Sequence, residues 1–285
     1  MSKQPQHLAT FLTKPKIGSF KSSMVVIPML AKVHKMSSFP FCSLSTSRLS
    51  SAFWHITAQP GSTGQITTRV LISDWARRHV NDPYVKQSIK DGYRCRSAYK
   101  LLQIQQKFKI LKPGLSVMEC GCSPGSWSQV AAKLVNAGGA YDPNAAKGSL
   151  VGCDLLHVEQ VPGSHLFSKF DFTDIESQKV LVQVLEQKTF DVVLSDMAPN
   201  ASGVKSLDSD RLIKMALQVN DFALNHGSPG SSMVIKIWQG SLMEYLLSKL
   251  RMNFTKVSTF KPKASRSDSS EIYVIAQYLS SRKNS

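Results

Sequence analysis

Aspartate and glutamate are absent from residues 1–73, and that absence divides the chain. The segment carries Lys3, Lys14, Lys16, Lys21, Lys32, Lys35, Arg48 and Arg69 with no acidic residue to offset them. These supply half of the formal net charge of +16 over 285 residues, so the remainder is basic in its own right. An excess of Lys and Arg on a folded body points to a polyanionic partner, because clustered cations gain affinity by releasing counterions from phosphates. Long apolar runs are also missing. No stretch reaches the roughly 18 uncharged apolar residues of a transmembrane helix, which argues against a membrane span. The five cysteines, Cys42, Cys95, Cys120, Cys122 and Cys153, include no CxxC pair and no histidines at zinc-ligand spacing. That argues against a metal site or a disulfide framework, and a reducing compartment is compatible with it.

The first segment is instead rich in Ser and Thr. The run from Met36 to Ser51, MSSFPFCSLSTSRLSS, reads like an organellar transit peptide. Such a segment is drawn through an import channel and removed, so residues 1–66 are expected to be a disordered, cleaved leader. The other reading is a basic tail that binds nucleic acid directly. Residues 67–285 are then a single domain, opening with a basic helical extension over 67–112. Within it, Ser73–His79 suggests a short helix and residues 84–112 a longer basic one. Between Asp74 and Lys112 stand ten Lys and Arg against Asp74, Asp82 and Asp91. So one-sided an excess suggests a surface facing RNA rather than an ordinary solvated face.

After Lys112-Pro113-Gly114 the pattern becomes strand, turn, helix, repeated. Strands are expected at 115–120, 150–155, 167–172, 191–196, 233–238, 256–260 and 271–278. Helices are expected at 126–136, about 175–186, 209–225 and 242–250. Near-continuous apolar strands alternating with helices imply an α/β fold, a seven-stranded, mostly parallel sheet with helices on both faces. The last two strands are separated only by a loop, which makes them an antiparallel pair at the edge. Residues 136–149 form a long loop.

Four ionisable residues stand in or beside these elements. Lys100 closes the basic run Arg94–Lys100, Asp196 ends a strand, Lys236 interrupts another, and Glu271 opens a third. Charges in buried strands are costly unless paired or functional. Two lysines and two carboxylates could neutralise one another and form a pocket of tuned proton affinity; the alternative is two ordinary salt bridges.

In an open parallel sheet, ligands bind beyond the carboxyl ends of the strands. There the chain has Glu119-Cys120-Gly121-Cys122-Ser123-Pro124-Gly125, where Gly121 and Gly125 would let the backbone approach a ligand and Pro124 would stiffen the turn. Asp154, Asp171 and Asp196 end three further strands, where Asp154 could receive a ribose diol and Asp171 an adenine amine. The turn lacks the third glycine of GxGxxG, Trp127 would crowd a pyrophosphate, and no Walker lysine is present. Acid-lined ends suit a cationic cofactor better than a phosphate, and S-adenosylmethionine, with its sulfonium and ammonium groups, fits them.

The chain resembles the FtsJ-like family of RNA ribose 2′-O-methyltransferases over roughly Asp82–Tyr278. The carrying motifs are Arg94-x-Arg96-Ser97-x-x-Lys100-Leu101, Gly121-x-x-Pro124-Gly125-x-Trp127-Ser128-Gln129, Cys153-Asp154-Leu155-Leu156, Ser195-Asp196-Met197-Ala198-Pro199-Asn200-x-x-Gly203, Lys236-x-x-x-Gly240 and Ser265-Arg266-x-x-Ser269-x-Glu271-x-Tyr273. With the transit-like leader, it looks like the mitochondrial large-subunit rRNA branch. The resemblance implies a Rossmann-like class I S-adenosylmethionine-dependent fold and a catalytic tetrad of Lys100, Asp196, Lys236 and Glu271. It implies that Gly121, Pro124, Gly125, Ser126 and Trp127 hold the cofactor with Asp154, Asp171 and Asp196, and that Phe172 packs beside the adenine. The implied substrate is a uridine ribose in the aminoacyl-tRNA-binding loop of large-subunit rRNA, free or in a pre-ribosomal particle in the mitochondrial matrix. No obligate protein partner is evident. Glu119 departs from the family, which more often has Asp there. A tRNA methyltransferase of the same family, or an assembly factor that acts mainly by binding, would carry the same pattern.

Overall fold

The computed structural model describes residues 81–184, 189–200 and 202–281. The expected leader 1–66, the Ser73–His79 helix and the rest of 67–80 lie outside the described residues. Every described residue belongs to one unit, Phe41–Ser285; the other unit, Met1–Pro40, lies outside them.

Seven strands form one sheet: β1 Ser116–Cys120, β2 Ser149–Asp154, β3 Ser164–Ser168, β4 Phe190–Ser195, β5 Gly227–Trp238, β6 Phe254–Phe260 and β7 Glu271–Leu279, in the order β3-β2-β1-β4-β5-β7-β6. The first five are parallel, and β7 runs antiparallel to both β5 and β6. The expected α/β fold with its antiparallel edge pair is therefore present. Six helices accompany the sheet among the described residues: α1 Pro83–Lys90, α2 Ala98–Phe108, α3 Ser126–Val135, α4 Ile175–Val184, α5 Lys205–His226 and α6 Met243–Arg251.

The strands read as continuous apolar runs because both faces are covered. Alternate residues serve two cores. Met118, Val193, Met233, Ile235 and Val274 pack with α5 and α6 on one face. Val117, Val192, Leu194, Val234 and Tyr273 pack with α2 and α3 on the other. Register then aligns the strand ends. Cys120 pairs with Cys153 and Ser195, and Ser195 pairs with Ile235. The next residue along each strand, Gly121, Asp154, Asp196 and Lys236, therefore reaches the same level. Because β7 is antiparallel, its first residues arrive there too, with Tyr273 opposite Lys236.

Four expectations change. The basic stretch is two helices and a turn: Gly92 takes a φ of +74° and the Tyr93 N–H turns back to the Ser88 carbonyl, so α1 stops. Lys100 accordingly sits in the first turn of α2 rather than at the end of a helix. The strand expected at 167–172 lies at Ser164–Ser168, in register with Leu150–Asp154. It ends because Lys169 adopts a left-handed φ of 56° and the Phe170 N–H bonds the Asp154 carbonyl. Asp171 therefore lies in a loop beyond the strand, not at its end. Helix α5 begins at Lys205, before the expected Ser209, with the Asp208 carboxylate capping the Ser202 and Gly203 N–H groups. Finally, β5 extends back to Gly227. The 136–149 loop is present and is tied by Asn136, whose side chain donates to the Asp142 and Ala145 carbonyls and accepts from the Tyr141 and Asp142 N–H groups.

Candidate active site

The four residues singled out in the sequence meet as two ion pairs. Lys100 Nζ lies 2.7 Å from Glu271 Oε1 and 2.8 Å from Oε2. Lys236 Nζ lies 3.1 Å from Asp196 Oδ1 and donates to the Asp196 carbonyl at 2.5 Å. Lys236 and Glu271 are buried; Asp196 and Lys100 are half-buried. Tyr273 joins the pairs. Its hydroxyl donates to Asp196 Oδ1 at 2.8 Å, and the Lys100 ammonium stands 5.9 Å from its ring centre. Burial and the Asp196 and Glu271 carboxylates hold the phenol well above its usual pKa, so it stays a donor. Burial pushes the Asp196 carboxyl up, but Lys236, Lys100 and the Tyr273 hydroxyl outweigh it and leave its pKa below the ordinary value. Ser265 donates to Glu271 Oε1 at 2.7 Å. Tyr273 and Ser265 received no role from the sequence, where an aromatic residue in an apolar strand reads as core.

The turn after β1 is built around protein atoms. Gly121 and Gly125 take φ of +78° and +105°. A Cβ on Gly121 would lie 2.7 Å from Met197, and one on Gly125 would lie 2.0 Å from the Arg94 guanidinium. The glycines thus make room for neighbouring side chains. Arg94 donates to the carbonyls of Pro124 at 3.0 Å, Glu159 at 2.7 Å and Gln160 at 2.9 Å, fastening this turn to the loop after β2. Ser126 hydrogen-bonds Ser97 at 2.6 Å. Trp127 is buried, donates to the Ser97 carbonyl at 2.8 Å, and stacks 5.6 Å from Tyr273. Both side chains are engaged internally, so a ligand would meet this segment mainly through its backbone.

The acids differ in what they already hold. Asp154 accepts from the Ser123 and Leu156 N–H groups at 2.9 and 2.7 Å, leaving lone pairs on both oxygens. Asp171 is exposed and accepts from the Thr173 N–H and hydroxyl. Phe172 is buried against Phe222, with ring centres 5.3 Å apart. Glu119 is fully buried: Oε2 accepts from Ser128 at 2.7 Å, while Oε1 has no partner among the described residues. Burial raises its pKa to about 8; Ser128 opposes this, and Asp196 and Asp154 add to it. The carboxylates of Asp154, Asp171 and Asp196, with the unpartnered Oε1 of Glu119 as a further polar acceptor, fit a cationic ligand such as S-adenosylmethionine. No group of residues among those described could hold a metal ion.

Glu119 also has a consequence for stability. Between its ordinary value of 4.5 and about 8, the folded chain holds a proton that the unfolded chain has lost. Stability from this group is therefore full below about 4.5 and falls as the pH rises through that window, at most about 1.4 kcal/mol per pH unit. Glu119→Gln should remove this slope, so thermal melts from pH 5 to 8 should show the variant gaining on the wild type. Parallel curves would show that Glu119 is ionised when folded.

Part of the basic stretch faces inward. Arg96 bonds Asp82 and the Ala264 carbonyl, and Arg94 and Lys100 are engaged as described. Lys86, Lys90, Lys107, Lys109 and Lys112 are exposed. Lys261 is held by the Ser267 and Ser269 carbonyls, bracing the loop that brings Ser265 to Glu271.

An open, mostly parallel sheet with two lysine–carboxylate pairs at its acid-lined carboxyl edge has the architecture of a Rossmann-like methyltransferase. The FtsJ-like methyltransferase family model matches residues 93–279, and the chain belongs to that family. It is 42% identical over 204 residues to the Drosophila melanogaster mitochondrial rRNA methyltransferase 2, covering 72% of this chain and 81% of that one. It is 42% identical to the ribosomal RNA large subunit methyltransferase E of Rickettsia bellii, covering 73% and 88%. A Plasmodium falciparum crystal structure described as a ribosomal RNA methyltransferase superposes with a TM-score of 0.56 at 26% identity, covering 67% of this chain and all of that one.

Proposed function

We propose that the chain uses S-adenosylmethionine to methylate the ribose 2′-oxygen of a uridine in mitochondrial large-subunit rRNA, in the aminoacyl-tRNA-binding loop. Residues 1–66 would carry it to the matrix and be removed, leaving 67–285 as the enzyme. The observation that carries this reading is the Lys236–Asp196 pair, set at the level of an acid-lined turn by the register of β4 and β5. The relatives named as rRNA methyltransferases support the substrate, and the exposed lysines around α1 and α2 suit a phosphate backbone. A 2′-hydroxyl is the group that separates RNA from DNA.

The bound cofactor would supply an electrophilic methyl group on sulfonium. Backbone of the 121–127 turn, with Asp154, Asp171, Asp196 and Glu119 around it, would hold and orient it; Phe172 would close the adenine side. Two of the positions around Lys236 Nζ face Asp196. The remaining one is left for the ribose oxygen, where a deprotonated Nζ would receive the hydroxyl proton as that oxygen attacks in line. Glu271 holds Lys100 beside the pair, and Tyr273 fixes the Asp196 carboxylate.

The test uses the full chain, labelled S-adenosylmethionine and mitochondrial large ribosomal subunits from cells lacking the protein. Label on one uridine ribose is the expected result. Transfer to tRNA alone would move the substrate to the sister branch, and no transfer despite cofactor binding would favour an assembly factor. A fluorescent protein fused after residue 285 should mark mitochondria in the same cells; diffuse cytosolic signal would remove the proposed location.

A further inference from the structure

A groove of about 540 Å³ opens on α5, between the loops that follow β3 and β4. Its walls include Thr173, Pro199, Arg211, Lys214, Met215 and Gln218. Pro199 is three residues beyond Asp196, so the groove starts beside the catalytic end. Arg211, Lys214, Met215 and Gln218 follow helical spacing and share one stripe of α5.

The two cations are not spent within the protein. Arg211 is half-exposed, and its nearest carboxylate, Asp208 Oδ1, is 3.9 Å away. That oxygen already accepts from the Ser202 N–H and hydroxyl at 2.9 and 2.6 Å. Lys214 is exposed and has no ion pair among the described residues. The Asp208 clamp also fixes the start of α5, so the cations are presented from a braced element. Pro199, Met215 and Leu217 give the groove an apolar lining under its charged lip. Two phosphate-binding cations above apolar side chains suit a nucleic-acid strand, whose phosphates need charge and whose sugars and bases do not.

We propose that this groove holds the RNA strand next to the target nucleotide, with Arg211 and Lys214 each taking a phosphate. The exposed lysines of α1 and α2 belong to the opposite face, since α2 packs in the other core from α5. The substrate would then be gripped from both faces of the sheet, across the catalytic edge. This rests on the RNA methyltransferase reading above.

The test measures binding of the full chain to an in-vitro transcribed RNA containing the aminoacyl-tRNA-binding loop, over a salt series. Loss of two single-strand phosphate contacts should flatten the slope of log K against log salt by about 1.4 and weaken binding roughly tenfold near 0.15 M salt. Arg211→Gln/Lys214→Gln should show both effects with its affinity for S-adenosylmethionine unchanged, and Arg211→Lys/Lys214→Arg should restore the wild-type slope. An unchanged slope and affinity in the glutamine variant overturns the proposal. So does weaker cofactor binding with RNA binding intact, which would make the groove an outer wall of the cofactor site. Neither readout uses methyl transfer. A chain that shows the slope change yet methylates nothing keeps the groove and loses the proposed reaction.

Discussion

Lys236→Arg should bind S-adenosylmethionine as the wild type does and transfer methyl groups at least about 100-fold more slowly, the scale on which a positioned base acts. Arginine keeps the positive charge and can still donate to the Asp196 carbonyl and carboxylate, but it does not give up its proton near neutral pH. The substitution therefore removes proton acceptance while leaving charge in place. Lysine here is surrounded by fixed groups: Asp196 contacts it twice, and its strand neighbour is Tyr273. Because a bulkier guanidinium could shift that arrangement, Lys236→Met serves as a second variant. It has a similar length but neither charge nor a basic nitrogen, and it should be equally inactive. Single-turnover transfer rates, with thermal melts to verify folding, give the answer. A wild-type rate in the arginine enzyme would exclude Lys236 as the base and leave it only the task of holding the ribose.

The elements that sequence located best are those with the simplest physical cause. β1, β2 and β4 are covered on both faces, so each reads as an unbroken apolar run, and their register sets Gly121, Asp154 and Asp196 at one level. β3 defeated the same reasoning. Its first residues, Ser164 and His165, are polar, while the apolar Phe170 and Phe172 continue past its end. Phe170 and Phe172 are core plugs in a loop, and periodicity alone does not distinguish a plug from a strand residue. That is why Asp171 was expected on a strand and found beyond one. Lys100 reaches Glu271 from the first turn of α2 rather than from the end of a helix, a position that a one-sided basic run does not reveal.

What remained hidden were contacts between distant segments. Tyr273 reaches Asp196 and stacks on Trp127 only because β7 inserts beside β5. Arg94 was counted among residues facing RNA, yet its guanidinium bonds three carbonyls around the turn after β1. From sequence, the glycines of that turn read as room for a ligand. The space beside them is filled by Met197 and Arg94, which no local pattern announces.

Asp196 should show the second large effect, and two substitutions divide it. Asp196→Ala removes the partner of the Lys236 ammonium and the acceptor of the Tyr273 hydroxyl together. Unpairing a buried ion costs about 3–5 kcal/mol, and the partial exposure of Asp196 puts the expected loss at or below the lower end of that range. Asp196→Asn keeps the shape and the acceptor for Tyr273 but not the charge. The asparagine enzyme should therefore fold nearly as well, bind S-adenosylmethionine at least about tenfold more weakly, and lose transfer; the alanine enzyme should lose all three. The carboxylate's lowered pKa sets the pH range. Its contribution is present above its ordinary value of 3.8 and is lost as the pH falls through the still lower folded value, so melts at neutral pH report the full difference. Calorimetric titration of cofactor into both variants separates binding from stability. If the asparagine enzyme bound and transferred like the wild type, the two pairs at the sheet edge would be structural salt bridges, and the chemistry would have to be sought elsewhere on that edge.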